Sequence, residues 1–318
     1  EGNFFTSASI GISLFPDDAN DGETLLRHAD TAMYAAKAVG GNAIRFHTAQ
    51  MDQRILLRMS LENQLHHALK ENQFSLYFQP QFALSDKRLI GAEALLRWHD
   101  GSRFIPPDQF IPVAEECGLI MPIGDWVIRE ACRYIKTWRT EFPDLPAIAI
   151  NLSPRQFWRP ALSQHILMEL DAHQLPCQAL EVEVTESVVL DEAGDGLEQL
   201  HQLNRAGITI ALDDFGTGYS SLAYLQRLPV RKLKIDRSFI CALGEMEDHE
   251  KHGEALVHAI IAMAHSLSLK VVAEGVETEQ QRTILQALDC DVMQGYLLGR
   301  PLPADDFYRQ FLVDRNFG

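Results

Sequence analysis

Between residues 74 and 294 the chain repeats one pattern: a short apolar run that ends on a polar residue, most runs being separated by helix-like stretches. The runs end on Gln79, Glu93, Asn151, Glu183, the pair Asp213 and Asp214, Lys234, Glu274 and Gln294. Alternating β and α elements argue for an α/β fold, and eight strands argue for a sheet that closes on itself. In a closed (β/α) barrel the C-terminal strand ends form one rim, and that rim carries the site. The pattern therefore gathers scattered positions into one acidic, oxygen-rich cup. Several carboxylates, an amide and a lysine in one place suit hard divalent cations and phosphate chemistry.

The strands are expected at Phe74–Gln79, Leu89–Leu96, Ala147–Asn151, Leu180–Thr185, Ile208–Asp213, Lys232–Ile235, Lys270–Ala273 and Val292–Met293. The first two are joined by a short turn around Ser85-Asp86, too short for a parallel crossover, so they should run antiparallel. Helices are expected at Asp125–Arg139, Ala161–His173, Leu197–Arg205, Ser221–Leu228, Gly253–Leu267 and Glu279–Leu288. A TIM-like (β/α)8 barrel over 73–318 matches the ~250 residues typical of that fold. Ahead of it, residues 1–48 read as strand (Ser7–Leu14), helix (Asp21–Val39, stopped by Gly40-Gly41-Asn42) and strand (Ala43–His47). That short α/β piece is too small for a domain and looks like the end of one. Residues 49–72, with Leu56, Leu57, Leu61, Leu65 and Leu69 near helical spacing, read as a connecting helix that packs on the barrel.

With 318 residues, 46% of them hydrophobic, the chain can bury a large core. Forty-four acidic against 28 basic residues leave a net charge of −16, which argues against general nucleic-acid binding. An anionic ligand remains compatible, because bound cations would reverse the local field. The five cysteines are scattered and odd in number, as expected of reduced thiols in a cytoplasmic protein. No signal peptide or bilayer-length apolar run appears, so no membrane contact is expected within this chain. The start at Glu1 rather than a methionine points to a piece of a longer protein, whose other parts can include membrane or sensor domains. The twelve histidines form no H-x-H or H-E-x-x-H pattern, which disfavours a histidine-rich zinc site.

The strand that runs into Asp213 and Asp214 carries the strongest signal. A helix cap accounts for one acid there, whereas two acids behind a buried strand fit a two-metal site. Glu181 and Glu183 share one strand face; Glu183 lies nearer the rim and is the better ligand, and Glu181 reads as solvated lower down or at the surface. Glu93, Leu95 and Arg97 share a face; Glu93 is a ligand candidate, and Arg97 is either a phosphate clamp or a solvated partner. Asn151 offers a hard carbonyl donor or is a turn residue. Lys234, costly in a carboxylate cup unless paired, would orient an attacking water or stabilise phosphate charge. Asp236 is a weaker candidate beside it. Glu274 is a metal or water-positioning group, and Glu277 either anchors a nearby loop or is plain surface.

Taken together the motifs resemble one family. E-A-L-L-R-W at 93–98, Y-F-Q-P-Q at 77–81, N-L-S-P at 151–154, E-V-T-E at 183–186, D-D-F-G-T-G-Y-S-S at 213–221, K-I-D at 234–236, A-E-G-V-E-T at 273–278 and Q-G-Y at 294–296 resemble the EAL-domain cyclic di-GMP phosphodiesterases, in order. The resemblance implies a barrel that binds two Mg²⁺ or Mn²⁺ ions and opens cyclic di-GMP to linear pGpG. It implies Glu93, Asn151, Glu183, Asp213, Asp214 and Glu274 as metal ligands. Lys234 and Gln294 would position the nucleophilic water, Gln79 and Arg97 would contact substrate, and Glu277 would brace the loop after Asp214. It also implies a homodimer that pairs near that loop. Residues 1–48 resemble the C-terminal end of a GGDEF, or diguanylate cyclase, domain through S-I-G-I-S at 9–13 and H-A-D-T-A-M-Y-A-A-K at 28–37. The Gly-Gly-Asp-Glu-Phe signature is absent, so no cyclase activity is expected here. The rival reading is a receptor that binds cyclic di-GMP without cutting it and signals to a partner.

Overall fold

The computed structural model describes residues 7–38, 41–190, 195–216, 225–244 and 249–314. The chain divides into two compact units, residues 1–67 and 68–318. In the first, β1 (Ile10–Ile12) pairs in parallel with β2 (Ile44–Phe46). The helix Gly22–Ala38 lies against both strands. A Cβ on Gly11 would sit 1.9 Å from the Ala29 carbonyl, so strand and helix meet backbone to backbone. β1 is shorter than its apolar run because β2 offers only three partner residues. The helix Ala49–Ala68 comes next, ending four residues before the expected boundary.

The second unit is an eight-stranded mixed α/β barrel. Its staves are β3 (Phe74–Ala83), β4 (Leu89–His99), β6 (Ile148–Leu152), β7 (Leu180–Thr185), β8 (Thr209–Phe215), β9 (Lys232–Ile235), β10 (Lys270–Ala273) and β11 (Val292–Met293). The ring runs β3-β4-β6-β7-β8-β9-β10-β11 and returns to β3. Only β3 runs against its neighbours, antiparallel to β4 as expected and also to β11. Two short strands lie outside the ring: β5 (Phe104–Ile105) extends β4, and β12 (Leu302–Pro303) covers the part of β3 that the two-residue β11 leaves open.

The hairpin strands run longer than their apolar signal. Pairing continues from Phe74↔Trp98 to Phe82↔Leu89, so Gln79 and Glu93 face each other in mid-strand rather than ending their strands. Antiparallel pairing needs no crossover at the rim, so nothing truncates this hairpin there. Alternation still holds along it. Phe74, Leu76 and Phe78 point outward into an aromatic layer with Trp98, Phe110, Trp138 and Phe307, while Gln79 and Glu93 point inward. The outer layer includes the helix Pro107–Glu116, which is absent from the expected set. Pro107 occupies a first-turn position, where the missing N–H costs nothing, and Pro112 lies inside the helix. The first half of the expected helix Ser221–Leu228 lies outside the described residues.

Candidate active site

Lys234 is the hub of the cup. It sits on β9 with 1% of its surface exposed. Its Nζ lies 2.5 Å from Glu183 Oε2, 2.6 Å from Glu274 Oε1, 3.1 Å from Asp213 Oδ1 and 3.5 Å from Glu93 Oε2. Those carboxylates come from β7, the end of β10, β8 and β4, so the site exists only once the barrel closes. A polar girdle holds Glu93: the Asn151 amide donates to Oε1 at 2.6 Å, and the Gln294 amide donates to Oε2 at 2.6 Å. Gln294 also donates to Gln79 Oε1 at 3.1 Å and accepts from Gln81 at 2.9 Å. With its nitrogen donating to Glu93, Asn151 keeps its amide oxygen for another partner.

Two adjacent acids on a strand would normally face opposite ways. Here the β8–β9 register shifts between Leu212 and Phe215, and Asp214 takes a left-handed φ of 54°. The Asp214 N–H turns back onto Asp213 Oδ1 at 3.0 Å. Carboxylate oxygens of Asp213, Asp214 and Glu274 then lie within 4.8 Å of one another. The turn after β10 aims Glu274. Gly275 turns left-handed at φ 68°, and a capping box at Thr278 and Gln281 pins the next helix, Glu279–Ala287. Gln281 Oε1 accepts the backbone N–H groups of Glu277 and Thr278, which fixes the loop between strand and helix.

Charge in this cup is out of balance. Burial would lower the Lys234 pKa, but Glu183, Glu274, Glu93 and Asp213 outweigh it and hold the ammonium well above its usual value. Burial likewise favours a neutral Glu93, yet Lys234 and the amides of Gln294 and Asn151 win and keep it ionised below the ordinary range. Glu183 moves the other way: burial and the neighbouring Glu93 push it well above, despite Lys234. Burial raises Glu274 to about 8 against the pull of Lys234. Asp214 is raised by burial and by Asp213. More carboxylates face this space than one ammonium neutralises, so protons or cations must make up the difference. Glu183 Oε1 is buried with no hydrogen-bond partner.

The cup opens into a cavity of about 260 Å³ lined by Gln79, Glu93, Asp213, Lys234, Glu274 and Gln294, among others. A second cavity of about 320 Å³ shares Leu95, Asn151 and Asp213 with it and is walled by apolar Pro107, Ile111, Ile120, Ile123 and Val127. Arg97 borders the second cavity, its guanidinium 5.6 Å from the Tyr77 ring centroid. Asp236 is set apart: it caps the helix Arg237–Cys241 by accepting from the Ser238 N–H at 3.0 Å. Glu277 is neither free surface nor, among the described residues, bound to the loop after Asp214. It pairs with Arg237 at 2.9 Å on the cavity wall. Glu181 corrects the sequence reading. It is buried, and its Oε2 lies 2.6 Å from Lys232, because inward alternation places it one layer below Glu183 inside the barrel. Sequence reasoning missed Arg237 and Gln81. Gln81 shares the inward alternation of Gln79, whereas Arg237 carries no local signal that it reaches across to Glu277.

Comparison with known proteins agrees with this geometry. A family model described as the EAL domain matches residues 62–301, most of the chain. The chain belongs to the EAL family. Residues 1–43 match the model described as the diguanylate cyclase, GGDEF domain. The bifunctional diguanylate cyclase/cyclic di-GMP phosphodiesterase MucR of Pseudomonas aeruginosa is 45% identical over 94% of this chain and 43% of its own length. The signaling protein YkoW of Bacillus subtilis is 43% identical over 98% of this chain and 38% of its own length. The chain thus spans well under half of these curated relatives. Among solved structures, the PaMucR phosphodiesterase in complex with c-di-GMP is 46% identical, covering 78% of this chain and 99% of that one with a TM-score of 0.73. The cAMP-bound EAL enzyme Bd1971 is 30% identical, covering 92% and 76%, with a TM-score of 0.76. The EAL domain is thus closely related to cyclic di-GMP phosphodiesterases, and among its described residues no helix is long and apolar enough to cross a membrane.

Proposed function

We propose that the barrel hydrolyses cyclic di-GMP to linear pGpG with the help of two Mg²⁺ or Mn²⁺ ions. The observation that carries this reading is the excess of carboxylates around the single ammonium of Lys234. The donor set fits hard divalent cations. Glu93, Glu183, Asp213, Asp214 and Glu274 offer carboxylate oxygens, Asn151 offers an amide oxygen, and the orphaned Glu183 Oε1 has a lone pair to give. When bound, the ions supply positive charge at the phosphate and lower the pKa of a water beside it. Lys234 and Glu274 hold that water, and Gln294 keeps Glu93 in place behind them. Lys234 keeps its proton throughout and stabilises charge on the phosphate oxygens. Water oxygen bonds to phosphorus and releases a proton to solvent, the bond to the 3′ oxygen breaks, and the leaving oxygen takes up a proton from solvent, so that no proton is gained or lost overall. Gln79 and Arg97 contact the substrate, and the apolar cavity beside Asn151 takes a base.

The relatives named as phosphodiesterases and the c-di-GMP complex of one of them support this substrate. We also propose that the domain works as a homodimer paired near the segment after Asp214, most of which lies outside the described residues. Purified chain incubated with cyclic di-GMP and Mg²⁺ or Mn²⁺ should convert it to pGpG, followed by chromatography, and excess EDTA should stop the conversion. Tight binding with the nucleotide recovered intact would instead establish a receptor.

A further inference from the structure

Beneath Glu93 lies an amide that the proposed chemistry does not use. Gln81 sits two residues beyond Gln79 on β3, so its side chain also points into the barrel, and it is 1% exposed. β3 runs down from the rim, antiparallel to β4, so Gln81 stands one layer below the facing pair Gln79 and Glu93, across from Gly91. A Cβ on Gly91 would lie 2.8 Å from Gln81 Oε1, so Gln81 occupies the space that a side chain at 91 would claim. On its other side β11 pairs Met293 with Phe82, which brings Gln294 beside Gln81. The Gln81 amide donates to Gln294 Oε1 at 2.9 Å.

This bond gives the amide network a direction. A glutamine amide has a donating end and an accepting end. Gln294 Nε2 donates to Glu93 Oε2 at 2.6 Å and to Gln79 Oε1 at 3.1 Å, and Gln79 in turn donates to the Gly299 carbonyl at 3.1 Å. Gln294 Oε1 is then turned away from Glu93, inside a buried residue where a carbonyl without a donor is costly. Gln81 supplies that donor. Without it the carbonyl gains by turning to water or to the ammonium in the cup, and each such turn takes the N–H off Glu93. Glu93 is both a proposed metal ligand and a neighbour of Lys234 Nζ at 3.5 Å, so a lost donor shifts charge where the water and phosphate are held. Gln79, Glu93 and Gln294 line the 260 Å³ cavity with Gln81 behind them, so Gln81 acts on them rather than on a ligand.

We propose that Gln81 is a positioning residue of this site: it fixes the direction of the Gln294 amide and so holds Glu93 for the metal and the water. The role rests on the metal-dependent phosphodiesterase reading of the barrel, yet one of its readouts needs no turnover. The test is a double-mutant cycle on the full chain, comparing wild type, Gln81→Met, Gln294→Met and the double variant. Mn²⁺ affinity is measured by calorimetry, kcat and KM with cyclic di-GMP at saturating Mn²⁺, and the melting temperature beside them. Methionine nearly matches glutamine in length and cannot donate. Gln81→Met should weaken Mn²⁺ binding and lower kcat, each about 10- to 100-fold, with KM nearly unchanged. In the Gln294→Met background the same change should move Mn²⁺ affinity and kcat by no more than about twofold. There it should also raise the melting temperature, because Gln81 is then a buried donor that has lost its acceptor. Equal losses from Gln81→Met in both backgrounds would overturn the proposal and make Gln81 a packing residue. So would wild-type Mn²⁺ affinity and kcat in Gln81→Met. A wild type that leaves cyclic di-GMP intact would overturn the phosphodiesterase reading instead, and the four Mn²⁺ affinities would still decide the role of Gln81.

Discussion

Lys234 and the carboxylates around it do two things that point mutations can separate. In the proposed reaction the ammonium meets the phosphate and its water. As structure, it offsets acids that would otherwise repel. Glu93→Ala, Asp213→Ala and Lys234→Met should each cut turnover by about 100-fold or more, the scale of losing one preorganised electrostatic group. Their effects on stability should differ. Removing Asp213 relieves crowding, so that variant should unfold near the wild-type temperature, whereas Glu93→Ala leaves the amides of Asn151 and Gln294 without their acceptor and should melt lower. Lys234→Met leaves acids unpaired, a loss on the scale of about 3–5 kcal/mol for a broken buried pair. It should therefore melt lower in EDTA and recover in Mg²⁺; equal melting in both conditions would remove the ammonium's structural role. Glu274 adds a pH dependence. Its pKa near 8 means that a proton occupies it at neutral pH and must leave before a cation binds. Apparent Mn²⁺ affinity should rise with pH up to about 8 and level off above, with a slope approaching about tenfold per pH unit for one proton released. Calorimetry in buffers of different ionisation enthalpy counts that proton. The same raised pKa has the opposite effect on the metal-free protein. Stability that Glu274 contributes in full below its ordinary value of 4.5 is lost as pH rises through about 8.

The loop from Glu274 to Thr278 is the element that converts strand order into site geometry. Gln281 accepts two of its backbone N–H groups and donates to the Ile240 carbonyl at 3.2 Å, tying the loop to the helix Arg237–Cys241. That helix begins at Arg237, the partner of Glu277. The ion pair is well exposed on both sides, so its own worth to stability is at most about 1 kcal/mol. Glu277→Ala should therefore leave the melting temperature almost unchanged, yet lower kcat while part of the substrate affinity remains. A large drop in melting temperature with kcat intact would make Glu277 a structural residue only. Thr278→Ala removes the cap and should cost about 1 kcal/mol, with activity lowered in step because the same loop carries Glu274. Circular dichroism melts read beside initial rates distinguish the two variants.

For the whole molecule the open question is assembly. The segment after Asp214 follows in sequence the strand holding two of the proposed ligands, so a second subunit seated there would act directly on ligand geometry. Sedimentation at micromolar concentration should show a dimer, and dilution below its dissociation constant should lower specific activity. A monomer with full activity would remove the coupling. The acidic excess of the chain predicts in addition that association weakens at low salt, where like charges are least screened.

What the chain determined by itself is what strand and helix periodicity can express locally. Each apolar run with its terminal polar group, the short turn that makes β3 and β4 antiparallel, and the donor chemistry of Glu93, Asn151, Glu183, Asp213, Asp214, Lys234, Glu274 and Gln294 are all legible along the sequence. The motifs in their order also identified the family. Tertiary structure decided which of these groups touch. Four carboxylates meet Lys234 because barrel closure sets the lateral register of separate strands. Asp213 and Asp214 turn the same way because of a register shift and a left-handed residue. Glu181 is buried on Lys232, Arg237 reaches Glu277, and Gln81 meets Gln294. Such contacts have no local signature, because periodicity tells which face a side chain takes and only the packed fold tells what stands opposite it.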